Sequence, residues 1–132
     1  MTQSIDPTVF GPRDTARLLT SVVVPRPIGW VSTISRDGAL NLAPFSFFNA
    51  VGSHPPMVML SISQRNGQPK DTLRNIQDTG EFVVNLADEA LAEQVTLTSG
   101  EYGAEVDEFA LAKLAATPSR KISRNNSSLL PK

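Results

Sequence analysis

Residues 26–43, "RPIGWVSTISRDGALNLA", constrain the fold of this chain more than any other stretch. Pro25 and Pro27 each lack an amide donor and hold the backbone extended, which forbids a helix there. The following run alternates Ile28, Trp30, Ser32 and Ile34 against Gly29, Val31, Thr33 and Ser35. That two-residue period is the mark of a half-buried strand. Asp37-Gly38 forms a strong hairpin turn, because glycine tolerates positive φ, and "LNLA" is the return strand. A hairpin this early argues against a doubly wound parallel sheet and for an antiparallel sheet decorated by helices.

The remaining pattern is consistent with that class. "GPRDTARLLTSVV" places Pro12 in a first helical turn and Leu18 and Leu19 on one face, a short helix. "PMVMLSIS" alternates Val58, Leu60 and Ile62 against Met57, Met59, Ser61 and Ser63, a strand. "KDTLRNIQDTG" spaces Leu73 and Ile76 helically, with Asp71 as its N-cap and Gly80 as its C-terminal cap. "EFVVNL" is a strand, "ADEALAEQVTLTSG" a helix stopped by Gly100, and "EVDEFALAKLA" a shorter helical stretch. Four strands are too few to close a barrel, so something further, or a partner, supplies the rest.

Composition narrows the function classes. The 132 residues fit one domain. A net charge of −1 gives no reason to expect nucleic acid or an acidic membrane surface, and no run approaches a membrane span. The absence of cysteine excludes disulfides, thiolate metal sites and thiol nucleophiles. His54, the single histidine, precedes Pro55 and Pro56 and has no second histidine to complete a metal site. "MTQSIDPTVFGPRD" lacks the basic-then-apolar order of a secretory signal, so a cytoplasmic protein is the default expectation. The tail, "TPSRKISRNNSSLLPK", carries +4 and leaves −5 on the first 116 residues. It has little apolar content and no strand-length alternation, and reads as disordered or loosely docked.

Three stretches carry candidate chemistry. In "PFSFFN", Phe45, Phe47 and Phe48 supply half of the six phenylalanines beside Ser46 and Asn49. Pro44 removes a donor, and amides of Ser46 to Asn49 outside a regular ladder suit the carbonyl and ring-nitrogen edge of a planar heteroaromatic. The same residues suit a core plug equally well. In "SISQRNGQPKDT", Ser61, Ser63, Arg65, Lys70 and Thr72 combine hydroxyls, cations and helix N-terminal amides, a seat for a monophosphate or else a solvated polar loop. Thr33, in the first strand, is on composition an ordinary β-branched strand residue.

The order of these parts is more telling than any one of them. "RPIGWVSTISRDGALNLAPFSFFNAVGSHPPMVMLSIS", then "KDTLRNI", then "GEFVVNL", resembles the flavin reductase-like family of FMN-binding split barrels, over residues 20–114. The family includes NAD(P)H:flavin oxidoreductases and flavoredoxins. The resemblance implies a mainly β fold with helices, an antiparallel split β-barrel that pairs as a homodimer with FMN near the subunit interface. It implies that Thr33, Ser46, Phe47, Phe48 and Asn49 meet the isoalloxazine. Ser61, Ser63, Lys70 and Thr72 would hold the ribityl chain and phosphate, with Arg65 as a candidate helper. NAD(P)H would donate hydride to the flavin, with no catalytic side chain required. His54 is read as structural rather than as a nicotinamide contact. A flavin-dependent monooxygenase or another redox protein would be the partner. A flavoredoxin-type carrier, or a fragment that holds no flavin, are the alternatives. Family chains continue beyond the segment matching "EFALAKLAATPSRK" through strands that complete the barrel. The expectation is therefore a partial split-barrel domain at 1–116, incomplete at its C-terminus, and a polar basic tail at 117–132.

Overall fold

Strand β1 (Gly29–Ile34) is the spine of the molecule. The computed structural model describes residues 4–64, 66–119 and 127–130. β1 pairs antiparallel on one side with β2 (Leu40–Phe45), in the register Trp30 to Pro44 through Ile34 to Leu40, and on the other with β5 (Val83–Asn85). The turn between β1 and β2 uses Gly38 at φ +89°, as the Asp37-Gly38 signal predicts.

Residues Gly29 to Thr33 are all buried, rather than alternately buried and exposed. The reason is that helices cover both faces of the sheet. Helix α2 (Asp71–Thr79) packs on the Thr33 face, where Asn75 donates to the Thr33 hydroxyl at 3.1 Å. The opposite face holds the core of Trp30, Leu42 and Phe109, with Leu91, Val95, Leu114 and Ala116 packed around it. Phe109 comes from the short helix α4 (Glu108–Leu111), and Val95 from α3 (Ala92–Leu97). Burying each large apolar side chain contributes about 1.5–3 kcal/mol. The Trp30 indole meets a polar group inside this core, donating to Thr98 Oγ1 at 2.9 Å.

Helix α1 (Pro12–Val22) starts with proline in its first turn, as expected. Helix α2 ends at Gly80 with φ +74°. A Cβ there would meet no atom within 4 Å, so only backbone strain opposes substitution. Gly80→Ala is expected to cost about 1–2 kcal/mol, measured as a lower urea midpoint.

A second, two-stranded sheet is formed by β3 (Phe48–Ser53) and β4 (Pro56–Leu60), paired antiparallel. β3 lies partly in the stretch expected to be loop. The ribbon leaves Val51, Met57, Val58 and Met59 exposed, so its aliphatic positions do not meet the core formed by this chain.

The tail corrects one expectation. β6 (Ala115–Pro118) pairs antiparallel with β7 (Ser127–Leu130), and β7 runs beside β5 and β1. The tail therefore does contribute a strand. Polar serines give no hydrophobic period, but the backbone ladder forms without one because its hydrogen bonds do not depend on side chains. Arg65 and residues 120–126 and 131–132 lie outside the described residues. Among the described residues, no helix is long and apolar enough to cross a membrane.

Candidate functional site

A groove of about 330 Å³ runs along the outer edge of β2. One wall is the start of α2 with the segment before it, Gln68 to Thr72 and Arg74; the other is Thr98 to Tyr102 and Ala104. Asn41, Ala43, Pro44 and Glu108 complete it. The size is at the low end of small-molecule sites, about 300–1,000 Å³.

The start of α2 differs from the sequence expectation in one residue. Lys70, extended at φ −63° and ψ 155°, is the N-cap, and Asp71 is already helical. Lys70 has no side-chain oxygen for the first-turn amides, and no side chain caps this helix. The Asp71 carboxylate pairs instead with Arg74. That pairing offsets the charge by which Asp71 would repel an anion at the helix start.

The phenylalanines divide between the two readings. Phe45 ends β2 and is buried, only 7% exposed. Phe48 opens β3 and lies against Gly29, where an added Cβ would fall 2.9 Å from its ring. Phe47, between them, is 46% exposed. Phe45 is therefore buried, Phe48 is half-buried against the sheet, and Phe47 faces outward. Phe48 and Asn49 belong to the ladder with β4, so the stretch outside regular structure narrows to Ser46 and Phe47. Ser61 N–H donates to the Phe47 carbonyl at 2.9 Å, which joins the segment after β4 to this bend. Arg26 donates to the Ser46 hydroxyl.

The bend and the helix start adjoin. Lys70 lines the groove, and its Nζ lies 5.7 Å from the centroid of the Phe45 ring, within cation–π range. Of the candidate site residues, Lys70 and Thr72 line the groove, whereas Ser46, Phe47, Phe48 and Asn49 lie at the neighbouring bend. Ser61 and Ser63 are exposed on the strand exit.

Thr33 and Thr72 are both buried in one polar network. Their hydroxyls donate to Asn41 Oδ1, at 3.2 and 2.7 Å, and Asn41 Nδ2 donates to Glu108 Oε1 at 3.2 Å. Glu108 Oε2 accepts the Leu42 amide at 3.1 Å, on the outer edge of β2. Thr33 does not line the groove; it supports the site from beneath, on the same face of the sheet, through Asn41. Arg26, Asn41, Glu108 and the Thr98–Tyr102 segment are not among the residues that the sequence singles out for the site. For Asn41 the available signal was a polar residue in the midst of a strand; for Glu108 it was an acid placed immediately before the buried Phe109.

Burial pushes the Glu108 carboxyl above its ordinary 4.5, with nearby Asp107 adding to the rise; hydrogen bonds from Leu42 and Asn41 oppose it. The folded chain thus holds this proton more tightly than the unfolded chain. The associated stability is present at low pH and is lost as pH rises from the ordinary carboxylate value through the raised one. Relative to Glu108→Gln, the wild-type chain is expected to lose stability as pH rises across that window, measured by urea midpoints at a series of pH values.

Comparison with known proteins follows the same lines. The family described as "Flavin reductase like domain" matches residues 21–130. An uncharacterized protein of Aquifex aeolicus is 51% identical over 79% of this chain and 54% of its own length. Nitrilotriacetate monooxygenase component B from Bacillus cereus superposes with a TM-score of 0.91 at 34% identity, covering 98% of this chain and 63% of that one. Pseudomonas fluorescens 2-nitrobenzoate 2-nitroreductase NbaA superposes with a TM-score of 0.83 at 30% identity, over 96% of this chain and 59% of that one. The chain spans about half the length of the curated relatives it matches. With its mainly β architecture, its hairpin, Phe-rich bend and lysine-started helix in family order, this chain belongs to the flavin reductase-like domain family.

Proposed function

We propose that the chain binds FMN and serves the transfer of electrons from NAD(P)H to flavin. The observation that carries this reading is the position of Lys70, in the groove wall and over Phe45 at once. One cation thereby links an anion seat to an aromatic bend, the two ends that a flavin mononucleotide needs. The residues fit that group: α2 starts with no side-chain cap, Lys70 supplies positive charge, and Ser46 and Phe47 leave the regular ladder.

In this reading Lys70 and the first amides of α2 hold the phosphate. Ser61 and Ser63 attend the ribityl chain, and the bend from Ser46 to Asn49 meets the ring edge, with Arg26 holding Ser46. The flavin supplies the redox chemistry, and the protein supplies position and charge. Two copies pair through the β3–β4 ribbon, whose exposed Val51, Met57, Val58 and Met59 support an apolar interface. A cytoplasmic setting, and delivery of electrons to a monooxygenase or another redox protein, belong to the same reading. The name of the Bacillus cereus neighbour, a monooxygenase component, supports that choice.

The purified chain should quench the fluorescence of added FMN and oxidise NADH or NADPH when free FMN is present. Quenching without nicotinamide oxidation would identify an electron carrier of the flavoredoxin type. Unquenched FMN at high protein concentration would overturn the reading.

A further inference from the structure

The hydrogen bonds around Asn41 have a single direction. The backbone amide of Leu42 can only donate, so the Glu108 carboxylate accepts it. As a carboxylate, Glu108 has no proton to give at its other oxygen, and Asn41 must turn its NH₂ toward it. The Asn41 carbonyl oxygen is thereby turned to the two threonines, and both hydroxyls spend their single proton on it. At Thr33 the same direction is reinforced, because Asn75 Nδ2 donates into that hydroxyl from α2. Thr72, which also lines the groove, is left with lone pairs alone for anything that binds there.

We propose that Asn41, oriented by Glu108, is a positioning residue that makes Thr72 a hydrogen-bond acceptor toward the groove. Thr72 therefore meets a ligand hydroxyl and gives no hydrogen bond to a phosphate dianion, which is left to Lys70 and the α2 amides. The inference rests on the FMN reading for its ligand and, for its polarity, on this geometry with Glu108 in its carboxylate form. Glutamine in place of Glu108 reverses the chain. Its carbonyl is required by the Leu42 amide, so its NH₂ faces Asn41, the Asn41 amide turns over, and the Thr72 proton is released toward the groove.

The test is a double-mutant cycle on the ratio of FMN to riboflavin affinity, with Glu108→Gln, Thr72→Val and the pair. Glu108→Gln should raise the ratio by about tenfold, the worth of a hydrogen bond to a charged group. That gain should vanish in the Thr72→Val background. Removal of a negative charge would raise the ratio equally in both backgrounds, and such a result would overturn the proposal, as would the absence of any gain. The ligand-free protein gives an independent reading. The Thr72 hydroxyl proton should exchange slowly in NMR spectra of the wild type and rapidly in Glu108→Gln; equal rates would overturn the proposal. Failure of the wild type to bind FMN, with the exchange rates as expected, would instead remove the flavin reading and leave the polarity standing.

Discussion

Lys70→Ala should weaken FMN binding by about ten- to a hundred-fold while changing riboflavin affinity by no more than about twofold. The two ligands differ only in the phosphate, and a charge-assisted hydrogen bond to an anion contributes about 1.5–3 kcal/mol, which sets that range. Lys70 is exposed, so part of its effect is screened, and the difference between wild type and variant should shrink as salt is raised. The fold should survive. Loss of the contact with the Phe45 ring costs about 0.5–1 kcal/mol at an exposed site, well inside the stability of a domain. An FMN affinity unchanged by the substitution, measured by flavin fluorescence, would displace the phosphate seat from the start of α2.

Phe109→Ala should be the most damaging single substitution in the core, costing about 3–5 kcal/mol. Phe109 is 1% exposed and packs with Trp30 and Leu42, so its removal leaves a cavity between α4 and the main sheet. Against a total stability of about 5–15 kcal/mol, this approaches unfolding. The effect reaches the site as well, because Glu108 is the adjacent residue and holds Asn41 and the edge of β2. Trp30 is the only tryptophan, so its fluorescence should report the loss in a urea titration. A cost below about 1 kcal/mol would show that α4 is not fastened through this core.

The parts of the fold with strong local chemistry were legible. The turn at Asp37-Gly38, the proline at the start of α1 and the glycine stop after α2 each follow from backbone sterics that act within a few residues. Burial of β1 on both faces was not legible, because the serine and threonine that alternate with its apolar residues find polar partners in other elements, two of them more than 40 residues away. Asn85 donates to Ser32 at 3.1 Å, and Asn41 and Asn75 close on Thr33. β7 escaped for a related reason: its stability comes from pairing, and Ser127 and Ser128 carry no hydrophobic signal.

Within the site, Lys70 was found because a cation before a helix start has a local meaning. Arg26 and Glu108 were not, because their partners, Ser46 and Asn41, lie 20 and 67 residues away in the chain. The residue pattern predicts an open bend from Ser46 to Asn49. Pairing with β4 takes up its second half, which no local residue pattern announces.

In the proposed function, the Ser46–Phe47 bend and the Lys70 helix start hold opposite ends of one flavin. Titration of FMN into isotopically labelled protein, followed by amide resonances, tests it most directly. One FMN should bind per chain, with the resonances of Ser46 and Phe47 and those of Asp71 and Thr72 shifting together along one binding curve. Shifts confined to one of the two segments, or separate curves for each, would contradict it.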